Sequence, residues 1–180
     1  YLKEGTVVDA TIIAAPPSTK NKSKSRDPQM RSTKKGNQYY FGMKAHIGAD
    51  AASGLVHTLV TTAANVHDVN QAHALLHGEE QQVYGDSGYL GADKREENKD
   101  KDVEWVVAMR HGKRRKLRDS GTEEGQLADK IEKLKSRIRA KVEHPFYWVK
   151  VHFGHRKTRY RGLAKNTAHL YSLFALANLF

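Results

Sequence analysis

The sequence predicts an α/β fold on a mixed sheet: an antiparallel meander of three strands running into parallel strands, with helices on the flanks. Three observations predict it. Residues 6–13 are β-branched and apolar on both faces, residues 39–47 alternate apolar with polar, and residues 127–142 repeat apolar side chains every three or four positions. A chain of 180 residues is long enough for one well-buried core, so residues 1–180 are expected to form a single domain.

The first strand, residues 6–13, suits the centre of a sheet, and Asp9 is its polar exception. Residues 14–38 carry Pro16, Pro17, many Ser, Thr and Asn, and a high density of Lys and Arg, so a long basic loop is expected there. Tyr39, Phe41, Met43, Ala45 and Ile47 then alternate with Tyr40, Gly42, Lys44, His46 and Gly48, the pattern of a strand with one buried face. A turn at 50–54 leads into a further strand at 55–62. Val69, Ala72, Leu75 and Leu76 have helical spacing and Gly78 ends it, giving a crossover helix. Val83 and Tyr84 form a short strand that places Asp86 at its C-terminal end, the edge where ligands sit in open α/β sheets.

Residues 104–109 predict one more buried strand, and the basic run 110–116 reads as a loop. Leu127, Ile131, Leu134, Ile138 and Val142 mark a long amphipathic helix ending near Glu143, and residues 168–180 a closing helix packed on the domain. Three strands, a helix, two strands and closing helices is the element order of an RNase H-like fold.

Composition narrows the partners. The balance of 31 Lys+Arg against 20 Asp+Glu, a net charge of +11, favours an anionic polymer, with nucleic acid first. There are no cysteines, which excludes disulfides and thiolate zinc sites and fits the cytoplasm. No run approaches the roughly 18 apolar residues of a membrane span, and no signal segment opens the chain. Because it starts at Tyr1 and enters a strand almost at once, the chain is expected to be a fragment whose N-terminal part is missing. The ten histidines are scattered without ligand spacing, so a zinc site is not expected. His46 and Lys44 share the polar face of their strand, which either approaches phosphate or is simply solvated.

Asp9, Asp86 and Glu143 each lie beside a hydrophobic element. A carboxylate in an apolar strand is costly unless something positive compensates it, and a pair of Mg²⁺ ions that also bind phosphate would do so. On one uninterrupted helix, Arg139, Glu143 and Lys150 would fall within about 40° of one another, one acid and two bases on one face. Pro145 predicts a kink or a new helix start just beside Glu143. Asp27, Asp50 and Asp68 sit in a loop, a turn and a helix start, and read as structural.

Asp9-Ala10-Thr11-Ile12, Asp86-x-Gly88-Tyr89 and Arg139-x3-Glu143-x6-Lys150 together resemble the three signature blocks of DDE transposases of bacterial insertion sequences. The last block resembles the insertion-sequence-four superfamily except that Ser136 stands where that pattern has Tyr. Residues 34–46 and 63–68 resemble its insertion-sequence-five group. The resemblance covers essentially the whole chain. It implies a transposase that cuts DNA at transposon ends and transfers the strand into target DNA. Asp9, Asp86 and Glu143 would be catalytic and hold two Mg²⁺ ions, for which Mn²⁺ can substitute. One ion would activate water or a DNA 3′-hydroxyl and the other steady the leaving oxygen.

The resemblance further implies that Arg139 and Lys150 contact the terminal inverted repeats, that the active complex is a homo-oligomer on nucleoid DNA, and that the missing N-terminal region binds DNA. The loop residues Lys20, Lys22, Lys24 and Arg26 are expected to add DNA contacts near the acids. The alternatives are an inactive DNA-binding remnant, or a metal nuclease of the same fold. Retention of all three acids weighs against the first, and the lysine at position 150 against the second.

Overall fold

A computed structural model describes residues 5–180; the expectation attached to Tyr1 lies outside them. At its centre is β1 (Gly5–Ala14), antiparallel to β3 (Gln38–Asp50) on one side and parallel to β5 (Gln82–Gly85) on the other. β5 pairs in parallel with β6 (Glu104–Val107), and β4 (Val56–Ala63) runs antiparallel along β3. The predicted mixed sheet is therefore present, flanked by helices. Because side chains alternate across β1, Val7 and Val8 feed different cores. Val7 joins Ile13, Met43, Ile47, Phe146, Val149, Leu170 and Phe174 on one face, while Val8 joins Ala72, Leu75, Val83 and Tyr89 on the other.

The structure corrects five expectations. The loop at 14–38 contains a strand, β2 (Arg31–Lys35), which forms a hairpin with the start of β3. Its five residues are all polar, so no hydrophobic period announced it. The signal lay in Gly36-Asn37, a two-residue turn of the kind that needs positive φ, and Gly36 has φ 61. Second, β3 has two covered faces from Ala45 onward, because the crossover between β4 and β5 packs over it. A side chain at Gly48 would collide with the Leu75 carbonyl oxygen of that crossover. His46 is thus fully buried, with Nε2 2.8 Å from Thr62 Oγ1, and Lys44 donates to Val66 O and Asp68 at 2.7 and 2.8 Å. Neither is solvated or aimed at phosphate. Third, that crossover, Asp68–Leu75, is a 3₁₀ segment rather than an α-helix.

Fourth, the basic run is helical: α1 spans His111–Asp119 with no buried residue. Lys and Arg favour helix, and a helix without an apolar stripe escapes a reading based on hydrophobic period. Fifth, α2 (Glu123–Arg139) presents the wrong face. Its buried residues are Gly125, Asp129 and Glu132, while Leu127, Ile131 and Leu134 point to solvent. Asp129 pairs with Arg114 of α1 at 2.9 Å, and Glu132 accepts from Met109 N at 2.8 Å, so the helix docks through charge and hydrogen bonds. An apolar stripe gives a helix its phase but does not say on which side the protein lies.

A 3₁₀ turn (Ala140–Val142) separates α2 from α3 (Glu143–Tyr147), which runs into a π turn at Trp148–His152. Pro145 sits in the first turn of α3, where its missing N–H costs nothing. α4 (Leu163–Ala177) starts earlier than expected and closes the core with Leu170, Phe174 and Ala177. Buried Asn166 accepts from the backbone N–H groups of Arg159 and Tyr160 and donates to the carbonyls of Tyr160 and Gly162, at 2.6 to 3.2 Å. That segment in turn holds the basic loop, with Gly162 N donating to Asp27 and Leu163 N to Gln29. Asn166→Ala strands these groups and is expected to cost about 2–4 kcal/mol in urea unfolding.

Candidate active site

Alternation along β1 puts Asp9 on the same face as Val7, toward α3. β5 runs parallel beside it, so Asp86, the first residue past that strand, arrives next to Asp9. α3 opens at Glu143 over the same face. The three acids line one cleft of about 540 Å³, together with Thr11, Lys35, Arg139, Tyr147 and Lys150. Asp86 also caps the short turn Ser87–Tyr89, accepting Gly88 N at 2.8 Å. Gly85 lets the Tyr89 ring close behind that turn, since a side chain there would meet the ring at 3.1 Å.

The interrupted helix still delivers Arg139, Glu143 and Lys150 to one cleft. Arg139 pairs with Asp9 Oδ2 at 3.3 Å, linking α2 to the sheet rather than bonding its own helix neighbour Glu143. Lys150 is half-buried, and its pKa is lowered by that burial and by the nearby Lys35 and Arg156. Ser136 is turned away, bonding Glu132 O at 2.8 Å, and does not line the cleft. Lys20, Lys22, Lys24 and Arg26 do not line it either; they are exposed, and Arg26 stacks 5.5 Å over Phe41.

Tyr147 escaped the sequence pattern, and Lys35 was legible only as one cation of the basic loop expected near the acids. Lys35 ends β2 just before the hairpin turn, and Tyr147 lies one helical turn after Glu143, an aromatic spacing that could have flagged it. Asp50 accepts from Ala52 N, Ser53 N and Ser53 Oγ in its turn, and Asp68 is engaged by Lys44. Both hold structure, as does Asp27.

Burial raises the Asp9 pKa to about 6, and Asp86 and Glu143 push it the same way against the opposing pull of Ala10 N–H and Arg139. Three mutually repelling carboxylates, without a histidine among the lining residues, are the hard-oxygen donor set that suits Mg²⁺ or Mn²⁺. The residues fit such ions.

A raised carboxyl pKa has a sign in stability. Between pH 4 and 6 folded Asp9 keeps a proton that the unfolded chain releases, so stability falls as pH rises through that window and the loss is complete at neutral pH. It amounts to about 2–3 kcal/mol. Asp9→Asn is therefore expected to melt several degrees above the parent at pH 7 without metal, and level with it near pH 4. A parent that melts higher at pH 7 would contradict this. Mg²⁺ added at pH 7 should raise the parent's melting temperature and leave Asp9→Asn little changed.

Histidines do meet elsewhere. His57, His77 and Glu80, the first at least twenty residues before the other two, offer ligand atoms within 4.8 Å of one another. Most of their polar atoms are hydrogen-bonded within the protein, and His77 Nε2 is the buried atom without a hydrogen-bond partner among the described residues. Thr6 Oγ1 donates to Glu80 Oε1 at 3.2 Å and lies 3.1 Å from His57 Nε2, and Glu80 also accepts from His77 N and Gly78 N. Glu79 N donates to His77 Nδ1, which leaves that ring's proton on Nε2, facing Glu80 at 3.5 Å. The network ties β1, β4 and the turn before β5 together.

A family model described as the transposase DDE domain matches residues 1–179.

Proposed function

The chain belongs to the transposase DDE domain family, and on that premise we propose that its cleft carries metal-dependent cleavage of DNA at transposon ends and strand transfer into target DNA. The observation that carries this reading is the convergence of Asp9, Asp86 and Glu143 in one cleft rimmed by Lys35, Arg139 and Lys150. Asp9, Asp86 and Glu143 would hold two divalent ions, Mg²⁺ or Mn²⁺. Such ions supply Lewis-acid activation of the attacking and leaving oxygens of a phosphodiester.

The chain's own residues do the rest. Arg139 keeps Asp9 oriented and limits repulsion among the acids while the cleft is empty. Lys150 and Lys35 line the cleft with the acids and would hold the DNA phosphate there. Tyr147, exposed at the same rim, offers a ring on which a base of the DNA end can stack. Lys20, Lys22, Lys24 and Arg26 would follow the duplex beyond the cleft, positioning it without reading sequence. The resemblance of the signature blocks supports a reading within the insertion-sequence-four superfamily and its five group, with terminal inverted repeats as the DNA acted on. No helix among the described residues is long and apolar enough to cross a membrane, and a cysteine-free chain suits DNA of the bacterial cytoplasm.

A strand-transfer assay with a pre-cut transposon end tests this reading. A joined product with target DNA in Mg²⁺ or Mn²⁺ is expected. Hydrolysed DNA without joining would make the protein a metal nuclease.

A further inference from the structure

The outward stripe of α2 has no partner in the fold. Leu127, Ile131 and Leu134 are 60, 46 and 57 % exposed, and their spacing of four and three residues confines them to an arc of about 60°. That is the narrow seam of a coiled coil rather than the scattered apolar exposure of an ordinary surface. Ile138, next on the seam, packs against the core and anchors this end of the stripe to the body of the protein. The inner face is already committed through Asp129 and Glu132. Rotating the helix to bury the stripe would break those interactions.

We propose that the seam is a self-association surface, on which α2 of a second copy packs antiparallel. Charge selects both occupant and direction. Glu123 and Glu124 are exposed in the first turn, Arg137 is exposed near the other end, and none of the three makes an ion pair among the described residues. A parallel pair would set acid beside acid and base beside base. An antiparallel pair lays Glu123 of one copy along Arg137 of the other, on the same flank of the seam, twice, about a two-fold axis near the middle of the helix. The same surface supplies both halves, as an isologous contact requires. Lys130 beside the seam is the opposing element, since the two copies bring it together near the axis. Its long stem can turn to solvent, but the repulsion keeps association weak. The proposal rests on this surface alone and does not depend on the catalytic reading.

Sedimentation of the 180-residue chain over roughly 1–100 µM, the range of micromolar association, is expected to show a species of twice 20.3 kDa that grows with concentration. Leu127→Glu with Leu134→Glu should stay monomeric throughout with an unchanged helical circular dichroism signal, and Lys130→Ala should associate about tenfold more tightly. Reversing Glu123 to Arg should weaken the dimer, and adding Arg137→Glu should restore it. Because the chain has no cysteine, direction can be read by oxidation. Ile131→Cys, near the axis, should cross-link to itself while Arg137→Cys should not. A parent that is monomeric at the top of the range, or that sediments like the double Glu variant, overturns the proposal. Equal cross-linking at both positions overturns the antiparallel arrangement.

Discussion

Asp86→Asn is expected to abolish cutting and joining while DNA affinity stays at or above that of the parent. Asp86 lies at the end of a parallel strand beside Asp9, on the face covered by Glu143. An amide keeps the cap to Gly88 N, because its carbonyl oxygen can accept the same bond, so the turn Ser87–Tyr89 should persist. What changes is one negative charge in the donor set. Loss of a group that stabilises transition-state charge costs on the order of a hundred- to a thousandfold in rate, and a direct metal ligand should sit at or beyond the upper end. DNA binding moves the other way, since removing an anion lowers repulsion of phosphate. Cleavage in Mg²⁺ and a binding titration on the same preparation check this. Retained cutting would refute the assignment of Asp86.

The second large effect concerns binding. Replacing Lys20, Lys22, Lys24 and Arg26 together by Ala should weaken DNA binding alike for every sequence. It should flatten the plot of log K against log salt by roughly 0.9 for each phosphate that is no longer neutralised. With all four phosphates released, affinity would fall about a thousandfold near 0.15 M salt. Arg26 also ties the loop through Pro17 O and the Phe41 ring, but the tethers from Arg161 to Ser23 and Ser25, from Gly162 N to Asp27 and from Leu163 N to Gln29 remain in the variant. An unchanged slope would move the DNA path to α1, with Arg110, Lys113 and Arg115 at or within it, and to the basic side of α2.

The sequence made legible those features whose physics is local. An acid inside a β-branched run identified Asp9, and an acid after a short strand between glycines identified Asp86. The period of two in β3 was visible in the same way. Glu143 was found by its block, and its place over the sheet survived because Pro145 falls in the first turn of α3, where it does not disturb the helix. Features set by tertiary packing stayed hidden. Hydrophobic spacing could not say that Leu127, Ile131 and Leu134 face outward, since that depends on Arg114 and Met109 being there to receive Asp129 and Glu132. His46 looked like a surface residue because its lid, the 3₁₀ crossover, comes later in the chain. Lys35 looked like one loop cation among several until a hairpin turned it into the cleft.

If Asp9, Asp86 and Glu143 hold the catalytic ions, Fe²⁺ loaded in place of Mg²⁺ will generate hydroxyl radicals beside them, and the backbone cuts can be mapped. Fragments ending near Asp9, Asp86 and Glu143 are expected, suppressed by excess Mg²⁺ and absent from Asp86→Asn. Cuts clustered instead around His57, His77 and Glu80, unaffected by Asp86→Asn, would contradict the account.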